Sequence, residues 1–112
     1  MSRSAADRRE DILAAIQRCA SYRPHLDADD EALAAMAYDA ILRNLAVIGE
    51  AVKALPEAVT AGKPDVPWAA IAGLRNVVIH EYFRVRSDIV VDVVDNELAK
   101  LAATLAGTDL PD

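Results

Sequence analysis

The sequence predicts an all-α protein, because residues that favour helices dominate it and its apolar positions recur at helical spacing. The 112-residue chain is 54% hydrophobic but only 4% aromatic, and alanine and leucine, both good helix formers, supply much of the apolar content. Apolar residues three and four positions apart mark one face of a helix. The length suits a single core. We therefore predict one domain over 1–112, an antiparallel four-helix bundle with one short extra helical turn.

The first two helices have clear start and stop signals. We predict a helix over 5–22, because Ser4 and Asp7 have the spacing of a capping box and Pro24 disfavours further helix. The longest helix is predicted over 28–55, where a cluster of acids precedes a run of apolar residues at helical spacing. Gly49 lies inside this helix, where glycine costs about 1 kcal/mol. It therefore suggests a close crossing with another helix.

The second half of the chain predicts two more helices. Residues 56–66 contain proline and glycine and predict a loop, with a turn of helix near 56–60. Pro67 suits the first turn of a third helix, which we expect to run to Tyr82. A fourth helix is predicted to begin at a cap formed by Ser87 and Asp88. Its apolar face contains Val90, Val94, Leu98 (or Glu97), Leu101 and Leu105. Gly107 ends this helix, and 107–112 should fray.

Composition and charge limit the classes of function that fit this chain. No uninterrupted apolar run approaches the roughly 18 residues of a membrane span, and residues 1–10 have no signal-peptide core, so we expect a cytoplasmic protein. The one cysteine, Cys19, cannot form an internal disulfide and is expected to be buried. Trp68 should likewise anchor the core. A net charge of −6 and a pI of about 4.8 argue against broad nucleic-acid binding. Any RNA contact should be small and focused, near Arg75, Arg84 and Arg86.

Residues 73–83 contain the side chains that are best suited to catalysis. They hold an arginine (Arg75), an asparagine (Asn76), a histidine (His80) and a tyrosine (Tyr82). Cleaving RNA without a metal needs proton transfer and positive charge on the phosphate. Histidine suits proton transfer, and arginine binds phosphate oxygens bidentately. No residue cluster predicts a metal or cofactor site.

The geometry of this segment leaves alternatives open. Arg75 and His80 are about 140° apart around a regular helix. Convergence would need the long reach of Arg75, a helix that loosens near His80, or a second copy of the chain at a two-fold interface. From residue types alone, a structural role for His80 in capping and packing is favoured over catalysis. Arg43 and Glu50 lie two turns apart in the long helix. They form either a solvated, ion-paired stripe or part of the cleft that contains Arg75 and His80.

Several segments in the same order resemble the HepT-like ribonuclease toxins of the HEPN superfamily, over roughly 8–105. They are Arg75 to Tyr82, Arg43-Asn44-Leu45, Ile48 to Ala51, Pro67-Trp68 and Tyr82-Phe83. The resemblance implies a HEPN bundle, a homodimer, and metal-independent endoribonuclease activity at a composite cleft in a type VII-like toxin–antitoxin system. Arg75 and His80 would be catalytic, and Asn76 would take the polar position of the motif. A minimal nucleotidyltransferase antitoxin would transfer AMP to Tyr82.

Two other functions fit the same residues. HEPN-like bundles also serve as non-catalytic partners of nucleotidyltransferases, and Arg75 would then hold a ligand phosphate while His80 is structural. In a purely structural dimerisation bundle, neither side chain would affect more than stability. In the catalytic interpretation, Arg43, Glu50, Arg84 and Arg86 are candidate cleft or RNA-contact residues.

Overall fold

The chain folds into an all-helical bundle in a computed structural model that describes residues 3–81, 86–108 and 110. Its α-helices are α1 (Ala5–Tyr22), α2 (Glu31–Lys53), α3 (Glu57–Ala61), α4 (Trp68–Ala72), α5 (Leu74–His80), α6 (Ser87–Asp92) and α7 (Leu98–Ala106). A 3₁₀ turn (Arg23–Asp27) follows α1, and a π-helical segment (Val93–Glu97) joins α6 to α7. Four helical segments (α1, α2, α4–α5 and α6–α7) confirm the predicted fold class within these ranges.

The caps of α1 and α2 explain where these helices begin. Ser4 and Asp7 form the predicted capping box: the Asp7 amide donates to Ser4 Oγ at 3.0 Å, and the Ser4 amide donates to Asp7 Oδ2 at 3.1 Å. Asp30 caps α2 by accepting hydrogen bonds from the amides of Ala32 and Leu33. Because the cap is Asp30, α2 begins at residue 31, three residues later than predicted. It also ends at Lys53, two residues early.

Helix α2 lies at the centre of the core. Its buried side chains, including Ile41, Leu42 and Ile48, pack with Ile12 of α1 and Leu101 of α7. By length and composition α2 is apolar enough to cross a membrane. Within this bundle its buried residues extend from Ala37 to Val52, whereas Leu33 and Met36 near its start are exposed. Cys19 is fully buried, as predicted. Trp68 is only partly buried against the core, and its indole Nε1 donates to the Lys63 carbonyl oxygen at 2.9 Å.

The third segment differs from the single helix predicted from Pro67 to Tyr82. Gly73 forms a turn that divides it into α4 and α5, and α5 ends at His80. Glycine has a weak helix preference, and Gly73 lies in the segment that crosses close to α2. The prediction of one continuous helix was therefore wrong. Residue 82, its predicted end, lies outside the described residues.

The fourth segment confirms the predicted apolar face but not the predicted cap. The buried residues are Val90, Val94, Leu98, Leu101 and Leu105, which resolves the choice between Leu98 and Glu97. Arg86 occupies the cap position without a side-chain cap hydrogen bond, whereas Ser87 is already helical. The π-helical segment was not predicted. Its wider turn accommodates the shift of the apolar face between α6 and α7.

Candidate active site

The position of Arg75 is set by a close contact between α2 and the turn before α5. A methyl group added at Gly49 would lie 2.9 Å from the Arg75 backbone nitrogen and 2.9 Å from the Ile71 carbonyl oxygen. Real side chains do not approach backbone atoms this closely, so the crossing requires glycine. The predicted close crossing at Gly49 is confirmed. It places the start of α5 directly against the last turns of α2.

This crossing brings three of the predicted site residues together. Arg75 Nε lies 3.1 Å from Glu50 Oε2, and both side chains are about half exposed, at 48% and 58%. Arg43 lines the same shallow groove as this ion pair. The groove has a volume of about 430 Å³, and we call it the Arg75 groove. The groove is lined by Arg43, Ala46, Val47, Glu50, Arg75, Val78 and Ile79. Arg43 and Glu50 therefore share a groove with Arg75, but His80 is not among the residues that line it. Both side chains are also exposed, and Glu50 is ion-paired, so each of the two interpretations holds in part.

His80 does not line the Arg75 groove. It is the last residue of α5 and is exposed, as is Asn76. Because α5 is a regular helix between Arg75 and His80, the two side chains leave it in directions about 140° apart. The described residues of one chain therefore do not form a site in which both side chains meet. The helix does not loosen between them, which removes one of the predicted routes to convergence.

The other predicted site residues are Arg86, Tyr82 and Arg84. Arg86 is exposed and forms a bidentate ion pair with Asp88, with nitrogen–oxygen distances of 3.1 and 2.9 Å. Both residues of this pair lie at the start of α6. Arg86 is not among the residues that line the Arg75 groove. Tyr82 and Arg84 lie outside the described residues.

A second groove adjoins the first on the α1–α2 face. This Arg18 groove has a volume of about 340 Å³ and is lined by Arg8, Asp11, Ala14, Arg18, Val47, Glu50 and Ala51. Its walls share Val47 and Glu50 with the Arg75 groove. The two grooves therefore form one continuous surface across α2.

Sequence reasoning missed the residues that organise the Arg18 groove. Arg18 Nε donates to Asn44 Oδ1 at 2.9 Å, and Asn44 Nδ2 donates to the Ala40 carbonyl oxygen at 2.8 Å. Asn44 is the buried polar side chain among the described residues. An asparagine on the apolar face of α2 was the available signal, since a buried amide must find hydrogen-bond partners. The sequence could not show that its partner is Arg18 on α1.

The chemistry of the site is that of an anion-binding surface. Arginine guanidinium groups bind phosphate oxygens bidentately, and the Arg75 groove offers those of Arg43 and Arg75. Between two half-exposed side chains, the Arg75–Glu50 ion pair contributes about 0–1 kcal/mol. A phosphate can therefore displace Glu50 at small cost. No group of three or more His, Cys, Asp or Glu side chains suited to a metal occurs within the described ranges.

Comparison with known proteins identifies the family of this chain. The family described as "Ribonuclease HepT-like" matches residues 12–106. A protein of Thermococcus cleftensis named "Probable ribonuclease HepT" is 31% identical over 90% of this chain and 92% of its own length. "Putative RNase MJ0127" of Methanocaldococcus jannaschii is 48% identical over 53% of this chain. "Putative RNase TTE0752" of Caldanaerobacter subterraneus is 44% identical over 55% of it.

The extent of these matches differs. The aligned part of this chain spans about half the length of "Putative RNase MJ0127" and "Putative RNase TTE0752", 49% and 55% respectively. No solved structure gives a significant match. The chain is an all-helical bundle whose matched relatives carry ribonuclease names. The family match extends over most of the helices. The chain is a member of the HepT-like ribonuclease family.

Proposed function

We propose that this protein is a metal-independent endoribonuclease and the toxin of a type VII-like toxin–antitoxin system. The observation that carries the proposal is the exposure of Arg75 and His80 on one short helix in a HepT-like ribonuclease domain. Arg75 lies in a groove that can accept a phosphate, and His80 is free to exchange protons with a bound substrate. These are the two chemical groups that RNA cleavage without a metal needs.

The site is completed by a second copy of the chain. Arg75 and His80 leave α5 in different directions, so one chain does not present both to the same phosphate. The side chains of Val77 and Ile79, which lie between them, are 40% and 52% exposed, and large apolar side chains at this exposure favour burial in an interface. In a homodimer with α5 near the two-fold axis, Arg75 of one protomer and His80 of its partner would converge. Asn76, also exposed, lies beside this interface.

The mechanism follows from the chemistry of these side chains. Arg75 leaves Glu50 and binds the scissile phosphate, neutralising charge that grows in the transition state. His80 accepts the proton of the 2′-hydroxyl, whose oxygen attacks phosphorus as the bond to the 5′-oxygen breaks. A protonated imidazole supplies the proton for the leaving 5′-oxygen, and the products are a 2′,3′-cyclic phosphate and a 5′-hydroxyl. The imidazolium formed when His80 takes the 2′-hydroxyl proton is this acid, so each composite site needs one Arg75 and one His80.

Cleavage of RNA in EDTA by the wild type and by His80→Ala tests this proposal. We expect cleavage by the wild type and a loss of at least about 100-fold in the variant, the usual range for an acid–base group. His25→Ala is the matched control, since His25 is the other histidine and is exposed in the 3₁₀ turn. Equal activity of wild type and His80→Ala would refute the catalytic role of His80. Absence of cleavage by an unmodified wild type would favour the nucleotidyltransferase-binding module instead.

A mixing experiment tests the composite site. When inactive Arg75→Ala and His80→Ala proteins exchange subunits, half of the dimers are mixed, and each mixed dimer has one site with both native residues. Activity should return to about a quarter of the wild-type value, as two-fold symmetry requires. If both residues acted within one chain, every site would lack one of them, and no activity would return.

We also propose that a nucleotidyltransferase antitoxin silences the enzyme by transferring AMP to Tyr82. An AMP group adds bulk and negative charge two residues from His80, where it would repel a substrate phosphate. Intact mass after incubation with the antitoxin and ATP should increase by AMP adducts in the wild type and in Tyr22→Phe, but not in Tyr82→Phe. An adduct on Tyr82→Phe would refute this site.

A further inference from the structure

The Arg18 groove continues the Arg75 groove along the surface of α2. Val47 and Glu50 lie on α2, the helix between the two grooves, and both residues line both grooves. An extended ligand held by Arg75 would cross α2 over Val47 to meet Arg18 and Arg8. A flexible polymer with repeated charges is such a ligand.

The arginines that lack a carboxylate partner are concentrated on this surface. Within the described residues, the arginines that form ion pairs are Arg3, Arg9, Arg23, Arg75 and Arg86. The other described arginines are Arg8, Arg18 and Arg43, and all three line the joined grooves. In a chain of net charge −6, this is a local excess of uncommitted positive charge. Such charge attracts phosphates.

Arg18 is held in place before any ligand arrives. Its Nε donates to Asn44 Oδ1 at 2.9 Å, and Asn44 is itself anchored to the Ala40 carbonyl oxygen. The two terminal guanidinium nitrogens of Arg18 have no acceptor among the described residues. A fixed guanidinium loses less conformational entropy when it binds an anion than a mobile one does.

The carboxylates of the two grooves are already paired. Asp11 accepts two hydrogen bonds from Arg3, at 2.8 and 2.6 Å, and Glu50 pairs with Arg75. These pairs reduce the repulsion that a phosphate would meet near Asp11. When a phosphate binds Arg75 and displaces Glu50, the Glu50 carboxylate is left unpaired between the grooves.

We propose that Arg8 and Arg18 bind a second phosphate of the same RNA strand whose scissile phosphate is held by Arg75. Val47 lies beneath the intervening sugar and base as an apolar floor. The Arg18 groove is thus a substrate-positioning subsite that selects a strand of several nucleotides over a single phosphodiester. This inference rests on the proposed ribonuclease function for the identity of its ligand.

Binding of a fluorescent ten-nucleotide RNA with 2′-O-methyl groups tests the subsite without depending on cleavage. For Arg8→Gln/Arg18→Gln we expect a Kd about tenfold to a hundredfold weaker than the wild type, as for the loss of two charged hydrogen-bonded contacts. The slope of log Kd against log salt should fall by about 0.7, since the variant loses one single-strand phosphate contact. A dinucleotide should show a smaller loss, because it lacks a second phosphate.

Lys63→Gln/Lys100→Gln is the matched control, because it removes the same charge from exposed positions that do not line the two grooves. Arg8→Glu serves as a second variant in which Arg18 and Asn44 keep their hydrogen bond, so weaker binding there does not reflect loss of the fold. Thermal unfolding of each variant verifies that it is folded under the conditions of the binding assay.

The outcomes separate the subsite from the proposed function. Weaker binding by both Arg8 variants, with the control unchanged, supports the subsite even if His80→Ala still cleaves RNA. Binding by these variants equal to the control overturns the subsite, while cleavage that depends on His80 would leave the ribonuclease proposal intact. Absence of RNA binding by the wild type overturns both.

Discussion

Replacing Gly49 by alanine tests whether the α2–α5 crossing positions Arg75. The added methyl group would lie 2.9 Å from the Arg75 backbone nitrogen and from the Ile71 carbonyl oxygen, and 3.3 Å from the Ala72 carbonyl oxygen. All three neighbours are backbone atoms, so no side chain can rotate away. The two helices must instead separate by several tenths of an ångström.

Two opposing effects determine the size of the change. Alanine is favoured over glycine in a helix interior by about 1 kcal/mol, whereas overpacking costs about 1–3 kcal/mol. Because all three close neighbours are backbone atoms of the crossing segment, we expect the upper part of that range and a net loss of about 1–2 kcal/mol. This corresponds to a decrease in Tm of roughly 4–15 °C.

Urea or thermal unfolding at fixed protein concentration measures the free energy of unfolding. The rate of RNA cleavage reports whether Arg75 has been displaced. A displacement near 1 Å can reduce catalysis by about 100-fold, so we expect activity to fall more than stability. Gly62→Ala is the control, since its methyl group would meet backbone oxygens at an ordinary 3.6 Å. A Gly49→Ala protein as stable and as active as Gly62→Ala would show that the crossing is not tight and would refute the reasoning.

Two further predictions concern Glu50 and Cys19. Glu50→Gln releases Arg75 from an ion pair of about 0–1 kcal/mol, so kcat/KM for RNA should rise by up to about fivefold, and Tm should fall by no more than about 8 °C. A tenfold decrease in kcat/KM would show that Glu50 holds Arg75 in its active orientation. Burial raises the pKa of the Cys19 thiol from 9.0 to about 11, and the unfolded thiol therefore ionises first. Its contribution to stability should be complete below pH 9 and decline towards pH 11, a decline that Cys19→Ala should lack when both proteins are unfolded in urea. Reaction of the folded wild type with a thiol reagent at pH 8 should be slow, and rapid reaction would contradict the burial of Cys19.

Much of the bundle could be predicted from local sequence. The capping box of Ser4 and Asp7 depends on residues three apart, and the buried face of α6–α7 follows from apolar residues three and four apart. These features are determined within one or two turns, so their physical basis is present in the sequence itself. The two interruptions were harder to predict. Gly73 interrupts a helix, whereas Gly49, with the same cost of about 1 kcal/mol, lies inside the continuous α2. The residues of the π-helical segment Val93–Glu97 have no distinct local signal. Packing against other helices can override such small differences.

For the candidate site, the sequence by itself determined the chemical groups. It placed Arg75, Asn76 and His80 on one segment, put Arg43 and Glu50 on nearly one side of α2, and indicated a close approach at Gly49. Only the tertiary structure decided which groups meet. Glu50 pairs with Arg75, Asn44 anchors Arg18, and the two grooves join at Val47, because these pairs lie on different helices. Spacing along a chain fixes the face of a helix on which a side chain lies, but the packing of helices fixes what that face contacts.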